Sequence, residues 1–458
     1  MLSIACVWAL LGQMRSTERL TYGELRALVP VDLRPVAGDP AAWNLLVQIK
    51  NLATTPPHEP FDPVAPTQVS DLLVEWNGKR GPDLVRRSRE RLTLEAPKMD
   101  LVERALRAGS WAAPHGPDKK YPVFSDLELE ESSVLVALKN TTNLFVLRSL
   151  VAAEEGDGAG AVQGLNTARS IGERLSAGGG TVINCLVGFA SLAIANDATR
   201  RLANHPALTA SQRASLARSM PVFDGFAALR ASCLGEFDRM ILTFIGSIPS
   251  MYEKKPAPWI RAVLQGHPKP LDIRATLGKA VEVWRAQLEH MKHPDRATPD
   301  PRALILEYSS SIPSALRGNV WDSPTAPKNL PVHKMHDRLM KVSNPVGRAR
   351  LHALLESSVL DGDEQPLLTA AKRNKASERL TGLILAANAY HLRTGKWPAK
   401  LTDLGPEDGI DKPLLDPFSN EPFKFDPARL LVWSVAPPGY SALVAPLSFS
   451  VVTGIVSK

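Results

Sequence analysis

Gly178-Gly179-Gly180-Thr181-Val182-Ile183-Asn184-Cys185-Leu186-Val187-Gly188-Phe189-Ala190-Ser191-Leu192-Ala193 is the stretch that decides the fold. Three glycines stop one helix, and Thr181 is placed to cap the next. Val182, Cys185, Leu186, Phe189 and Ala193 then recur at helical spacing. Upstream, residues 161–175 read as a helix, preceded by an acidic, glycine-rich turn at 154–160. Before that turn, Leu135, Leu138, Thr142 and Phe145 share one face. Downstream, Phe226, Leu229, Cys233, Phe237, Met240 and Phe244 form another stripe. The unbroken 3.6-residue period predicts that residues 130–250 are overwhelmingly helical, folded as antiparallel hairpins.

Working outward, residues 126–293 form a central helical domain. Residues 15–125 form an N-terminal helical region with Pro-rich loops, in which Ala42, Leu45, Leu46 and Ile49 make an apolar stripe. Residues 294–331 are a Pro-rich loop or linker, and 332–375 a helical connector. The last unit differs in kind. Residues 376–393 read as an amphipathic helix, with Leu380, Leu383, Ile384 and Ala387 on the apolar side and Lys375, Glu378, Arg379 and Arg393 on the wet side. Gly395 stops it. Short β-prone runs follow at 423–425 and 430–435. The fold class is therefore mainly α: a helical hairpin array followed by a small C-terminal α+β module.

The chain has 458 residues, 44% of them hydrophobic and 22% charged, which excludes a disordered chain. The net charge of +7 is modest for this length. The basic runs Arg86, Arg87, Arg89, Arg91 and Lys372, Arg373, Lys375, Arg379 carry no interleaved aromatics. Both read as solvated helix faces, and nucleic acid is not expected as a partner. There is no Cys-x-x-Cys pair among the three cysteines, so a thiolate zinc site is excluded. Cys185 and Cys233 read as small buried hydrophobes, or as a disulfide if the chain is exported. Residues 1–14 hold an apolar run at 2–11, which fits either a truncated signal or anchor segment or a buried first helix.

Candidate chemistry is sparse. Glu236 sits beside a strongly apolar stripe, where a carboxyl can serve as a general acid or pair structurally with Arg230 or Arg239. His290 and His293, and His333 and His336, are two i, i+3 pairs that could each present two metal ligands on a helix face. Pro294 ends the first of these helices, and a Pro-rich segment separates the pairs, so no joint zinc site is expected. Gly156-x-Gly158-x-Gly160 follows a helix and reads as a turn, not a phosphate loop. No Walker A, G-x-S-x-G or H-E-x-x-H sequence is present. No cofactor is expected.

One stretch carries a family likeness. Leu385-Ala386-Ala387-Asn388-Ala389-Tyr390 is followed by Thr394-Gly395-Lys396-Trp397-Pro398 and Leu401-Thr402-Asp403-Leu404. Leu415-Asp416-Pro417-Phe418 and Leu431-Val432-Trp433-Ser434-Val435-Ala436-Pro437-Pro438-Gly439 complete the set. Residues 376–439 thereby resemble the C-terminal domain of the type II secretion major pseudopilin. The resemblance implies a helix packed on a small antiparallel sheet, with the Asp416-Pro417-Phe418 turn aiming Phe418 or Phe423 at the helix. That family's calcium loop is acidic, whereas residues 436–458 contain no acid, so the module is expected to fold without calcium. Residues 440–458 read as a divergent apolar tail. The body of the chain is similar to large membrane-anchored proteins of planctomycete-type bacteria, through the turn at 154–160, Gly178-Gly179-Gly180-Thr181, Leu234-Gly235-Glu236 and Asn344-Pro345-Val346-Gly347-Arg348.

These likenesses imply a cell-envelope protein, tethered at its N-terminus with an extracytoplasmic body. It is expected to act as a helical scaffold through protein partners, its C-terminal module a folded appendage. The rival readings are a hydrolase-like enzyme with a pocket between helices and a polyanion-binding protein.

Overall fold

The computed structural model describes residues 27, 38–53, 68–77, 81–112, 124–178, 180–236, 285, 364–435 and 447–453. The chain divides into two compact units. One comprises residues 1–36, 115–128 and 230–368, and few of its residues are described. The other comprises residues 37–114, 129–229 and 369–458, and the packing described below lies within it.

Nine α-helices and three strands occur among the described residues. The helices are α1 (Pro40–Ala53), α2 (Val69–Glu75), α3 (Pro82–Leu106), α4 (Phe124–Glu154), α5 (Gly158–Ala177), α6 (Val182–Leu202), α7 (Ala210–Ser219), α8 (Gly225–Glu236) and α9 (Glu364–Thr394). The strands are β1 (Lys424–Asp426), β2 (Leu431–Trp433) and β3 (Ser448–Ser450), an antiparallel sheet in that order. The chain is thus mainly helical with a small C-terminal sheet, as its periodicity predicts. Residues 237–250, including Phe237, Met240 and Phe244, lie outside the described residues.

The α5–α6 hairpin is the centre of this unit. Asp157 caps α5, its carboxylate accepting from Gly160 N at 2.8 Å. Thr181 precedes α6 in extended conformation, but its hydroxyl donates to Asn184 Oδ1 at 2.8 Å and makes no side-chain cap bond to the backbone. The buried face of α6 is also wider than the sequence stripe. Val182, Cys185 and Phe189 are buried, whereas Leu186 and Ala193 are exposed and Gly188, Ser191 and Leu192 take the inner positions. Small residues turn inward because the two helices meet backbone to backbone. A Cβ on Gly188 would lie 2.7 Å from Gly172 O. Cys185 is a buried thiol and is not in a disulfide; the side chain of Cys233 lies outside the described residues.

Residues 132–154 and α6 are long and apolar enough to cross a membrane by length and composition, yet most of each is buried within the fold. Packing against other helices accounts for their apolar character.

The C-terminal elements are not an appendage. A single hydrophobic cluster runs from Ala42, Leu46 and Ile49 of α1 through Leu138 and Phe145 of α4 to Leu380, Ile384, Phe423, Val432 and Phe449. Every residue from 380 to 389 on α9 is buried. A helix buried all round is a core helix, not an amphipathic one lying on a surface. Gly395 ends α9 at φ +71°, its N–H donating to His391 O. Helix α9 also begins earlier than the sequence pattern suggests, at Glu364.

The tail supplies an unforeseen strand. Val432 of β2 pairs with Phe425 of β1 on one side and with Phe449 of β3 on the other. Asn388 of α9 pins that tail, its amide donating to Val451 O at 2.9 Å. Three strands with a packed face are self-supporting where two are marginal.

Candidate functional site

The residues first singled out for chemistry are not among those whose side chains the structure describes. The side chain of Glu236, at the end of α8, lies outside the described residues, as do His290, His293, His333 and His336. Residues 1–14 and the linker 294–331 lie outside them as well. Among the described residues, no group of three or more His, Cys, Asp or Glu is placed to hold a metal ion.

The described structure offers instead a cleft of about 820 Å³ along α5. Such a volume suits a ligand site. Its floor is one face of that helix, where Gln163, Asn166, Thr167, Ser170, Glu173 and Arg174 follow at helical spacing. Leu106, Gln212 and Phe223 form the sides. Gln212 is held by a capping box with Thr209 at the start of α7. Arg174 donates to Leu106 O at 3.2 Å. The surface is mainly apolar, with Ala159, Val162 and Ala177 also lining it, and the amide and hydroxyl groups set among them can both donate and accept.

Glu173 joins the cleft to a buried charge cluster. Its carboxylate lies 3.2 Å from Arg169 Nη2, one helical turn back. Arg169 is only 6% exposed, and its guanidinium donates to Ser219 O and Met220 O, both at 2.9 Å. Beyond it stands Glu378 of α9, whose Oε1 is 4.0 Å from Arg169 Nη2 and accepts no hydrogen bond. Two carboxyl groups therefore lean on one guanidinium that is already engaged by backbone carbonyls. Burial pushes Glu378 up to about 8; Arg169 opposes that rise and Glu173 adds to it. Burial also raises Glu173, against the pull of Arg169.

This corrects the expected wet face of the last helix. Glu378 is 1% exposed, so it is part of the core. Lys375 lies over the Phe226 ring at 5.4 Å, and Arg379 donates to Leu415 O. The run Lys372, Arg373, Lys375, Arg379 is half-buried and not a solvated face, because α9 is enclosed on several sides. The other run is a charged surface matched by acids. Arg86 pairs with Asp83 and Glu90, Arg87 with Glu75 and Asp83, Arg89 with Glu155, and the more buried Arg91 with Glu95.

Arg200 joins α6 to α9. It donates to Thr381 Oγ1 at 2.9 Å and Ser377 Oγ at 3.2 Å, and lies 4.1 Å from the centroid of the Phe449 ring. Burial lowers it to about 10, which Asp197 opposes.

Asp416 has a structural task. Its carboxylate accepts from Phe418 N, from Ser434 Oγ with both oxygens, and from Val435 N at 2.7 Å. The turn buries Phe423, and Phe418 packs beside the core. With this carboxylate committed and no acid in 436–458, the donor set does not fit a calcium ion. Asp416→Ala is expected to cost at least about 1.5–3 kcal/mol, the value of hydrogen bonds to a charged group. Thermal melts of the full chain should show that loss, and addition of calcium or chelator should leave the wild-type midpoint unchanged.

Sequence reasoning passed over Arg169 and Glu173, although their i, i+4 spacing on a predicted helix was a readable signal. Glu378 gave no such signal, since its neighbours in sequence mark a charged surface. Compared with protein-family models, curated proteins and solved structures, the chain matches none.

Proposed function

We propose that this protein is an interaction scaffold of the cell envelope, which holds an extended segment of a partner polypeptide in the α5 cleft. The observation that carries the reading is the cleft floor. Gln163, Asn166, Thr167, Ser170 and Glu173 run along one helix face over about 15 Å, at 1.5 Å rise per residue. Amides and hydroxyls at that spacing suit the alternating donors and acceptors of a peptide backbone. In this reading the C-terminal helix and sheet are pseudopilin-like in form but built into the scaffold, where they brace the cleft through Glu378 and Arg169. The N-terminal segment would tether the body on the outer face of the membrane.

A hydrolase-like activity is the second reading, favoured by the raised carboxyl of Glu173 in a cleft. Polyanion binding is less favoured, because Arg86, Arg87 and Arg89 of α3 already have acidic partners.

The test is selection of random octapeptides displayed on phage against the immobilised full chain. Ser170→Trp, which fills the cleft, serves as the counter-target. Enrichment on wild type with at least about tenfold loss on Ser170→Trp, or roughly 1.4 kcal/mol, is the expected result. Equal recovery on both proteins would refute the cleft as the binding surface. Turnover of an ester, peptide or glycoside panel that disappears with Glu173→Gln would favour the enzyme instead.

A further inference from the structure

Arg174 is the charge in the cleft that no acid answers. It stands exposed near the end of α5 and donates one N–H to Leu106 O at 3.2 Å. A guanidinium has several further donors, which stay available to a guest. Glu173, the one carboxyl among the lining residues, is taken by Arg169 at 3.2 Å. Burial and Arg169 set its ionisation, and Arg174 does not act on it. The same corner holds two more cations. Arg104 and Arg107, close to Leu106 at the end of α3, are exposed, and like Arg174 they have no acidic partner among the described residues. Arg86, Arg87, Arg89 and Arg91 on the same helix are all paired. The acids near this corner are committed elsewhere: Glu103 to Arg148, and Asp39 to Gly109 N and Ala41 N. Asp100, one turn before Arg104, makes no ion pair among the described residues. The carbonyl end of α3 supplies only about half a negative charge. One end of a mainly apolar cleft therefore carries an excess of guanidinium.

We infer that the cleft selects a carboxylate, carried on an extended and otherwise apolar polypeptide segment, and seats it on Arg174. This rests on the reading of the cleft as a polypeptide groove. A guanidinium held at one edge by Leu106 O can still offer a pair of N–H groups to a carboxylate. Glu173 repels such a guest only weakly, because Arg169 already neutralises it. Leu106, Val162 and Phe223 give the rest of the segment an apolar wall. Val162 and Arg174 are about 18 Å apart along α5, the length of about five extended residues. The acid therefore belongs at one end of the bound segment, with apolar residues along the remainder. An Asp or Glu side chain and a free chain terminus supply the same carboxylate.

The test is to sequence the octapeptides recovered on wild type, Arg174→Gln and Arg174→Lys, each as the full chain with an unchanged melting profile. Two libraries are displayed, one fused through its C-terminus and one ending in a free carboxylate. Asp or Glu enriched at one position in both libraries assigns the side chain as the source. An advantage of the second library, lost by the same peptides made with an amidated end, assigns the chain terminus. Either preference should reach at least about tenfold on wild type. It should vanish on Arg174→Gln while the apolar preferences at other positions persist, and survive in part on Arg174→Lys, which keeps the charge but not the planar fork. Added salt should weaken the acidic peptides more steeply on wild type than on Arg174→Gln. Peptides that depend on the open cleft but show no acidic preference in either library would overturn this inference and leave the groove standing. So would a basic preference at that end, or an acidic one that Arg174→Gln leaves unchanged. If no peptide distinguishes wild type from Ser170→Trp, the groove reading fails, and this inference fails with it.

Discussion

Gly188→Val is expected to abolish the native fold of the unit that contains α5 and α6. A Cβ at 188 would stand 2.6 Å from Ser176 N and 2.7 Å from Gly172 O. Both are backbone atoms of the facing helix, so no rotamer change relieves the contact. The facing position is equally tight: a Cβ on Gly172 would lie 2.9 Å from Gly188 O. Extra methylenes in a packed core usually cost about 1–3 kcal/mol through shifted side chains. Here the helices themselves must part, which also loosens the Ala161, Leu165 and Ala168 side of α5. Gly188→Ala is expected to lose about 3 kcal/mol, and the branched valine more. Domain stability is typically only about 5–15 kcal/mol, so that loss is decisive. Far-ultraviolet circular dichroism through a thermal melt is the measurement. A Gly188→Val protein melting within about 2 °C of wild type would show that α5 and α6 do not touch at these glycines.

Glu378→Gln is expected to make the protein more stable at alkaline pH. Burial pushes this carboxyl up to about 8 in the folded chain, against an ordinary value of 4.5. Below about 4.5 it is protonated in both states, and stability there is at its full value. Between 4.5 and about 8 the folded state keeps a proton that the unfolded state gives up, so stability falls as pH rises. Above about 8 the loss is complete. Each pH unit between the two titration points is worth about 1.4 kcal/mol, so the whole effect is a few kcal/mol. Glutamine keeps the shape and cannot ionise. The variant should therefore exceed wild type by about 2–4 kcal/mol at about pH 9 and match it closely at about pH 5. Urea midpoints across that range, with one near neutrality, decide the matter. Parallel pH profiles for the two proteins would mean that Glu378 is ionised in the fold and satisfied by Arg169.

These two residues mark where reading in one dimension stops. Glu378 stands between Lys375 and Arg379, a context that sequence patterning assigns to water. It is buried because α9 receives α6 through Arg200, α7 through the close approach of Gly382 to Ala217 O, and the sheet through Asn388. No local property of residues 375–379 records that enclosure. Leu186 and Ala193 illustrate the converse error. They are apolar and on the period, yet exposed, because the seam with α5 passes through smaller residues beside them.

The sequence by itself determined the helical class, the α5–α6 hairpin and the stop of α9 at Gly395, and it placed a turn at Asp416. Each follows from interactions within a few residues: the 3.6-residue period, a glycine at positive φ, a carboxylate beside its own turn. Tertiary structure alone decided that β3 completes the sheet, that α9 is a core helix and that Glu173 and Glu378 share Arg169. Those outcomes join residues far apart in the chain, such as Glu173 with Glu378 and Val432 with Phe449. A buried charge is set by what surrounds it from every side, and its neighbours along the chain are only a small part of that surrounding.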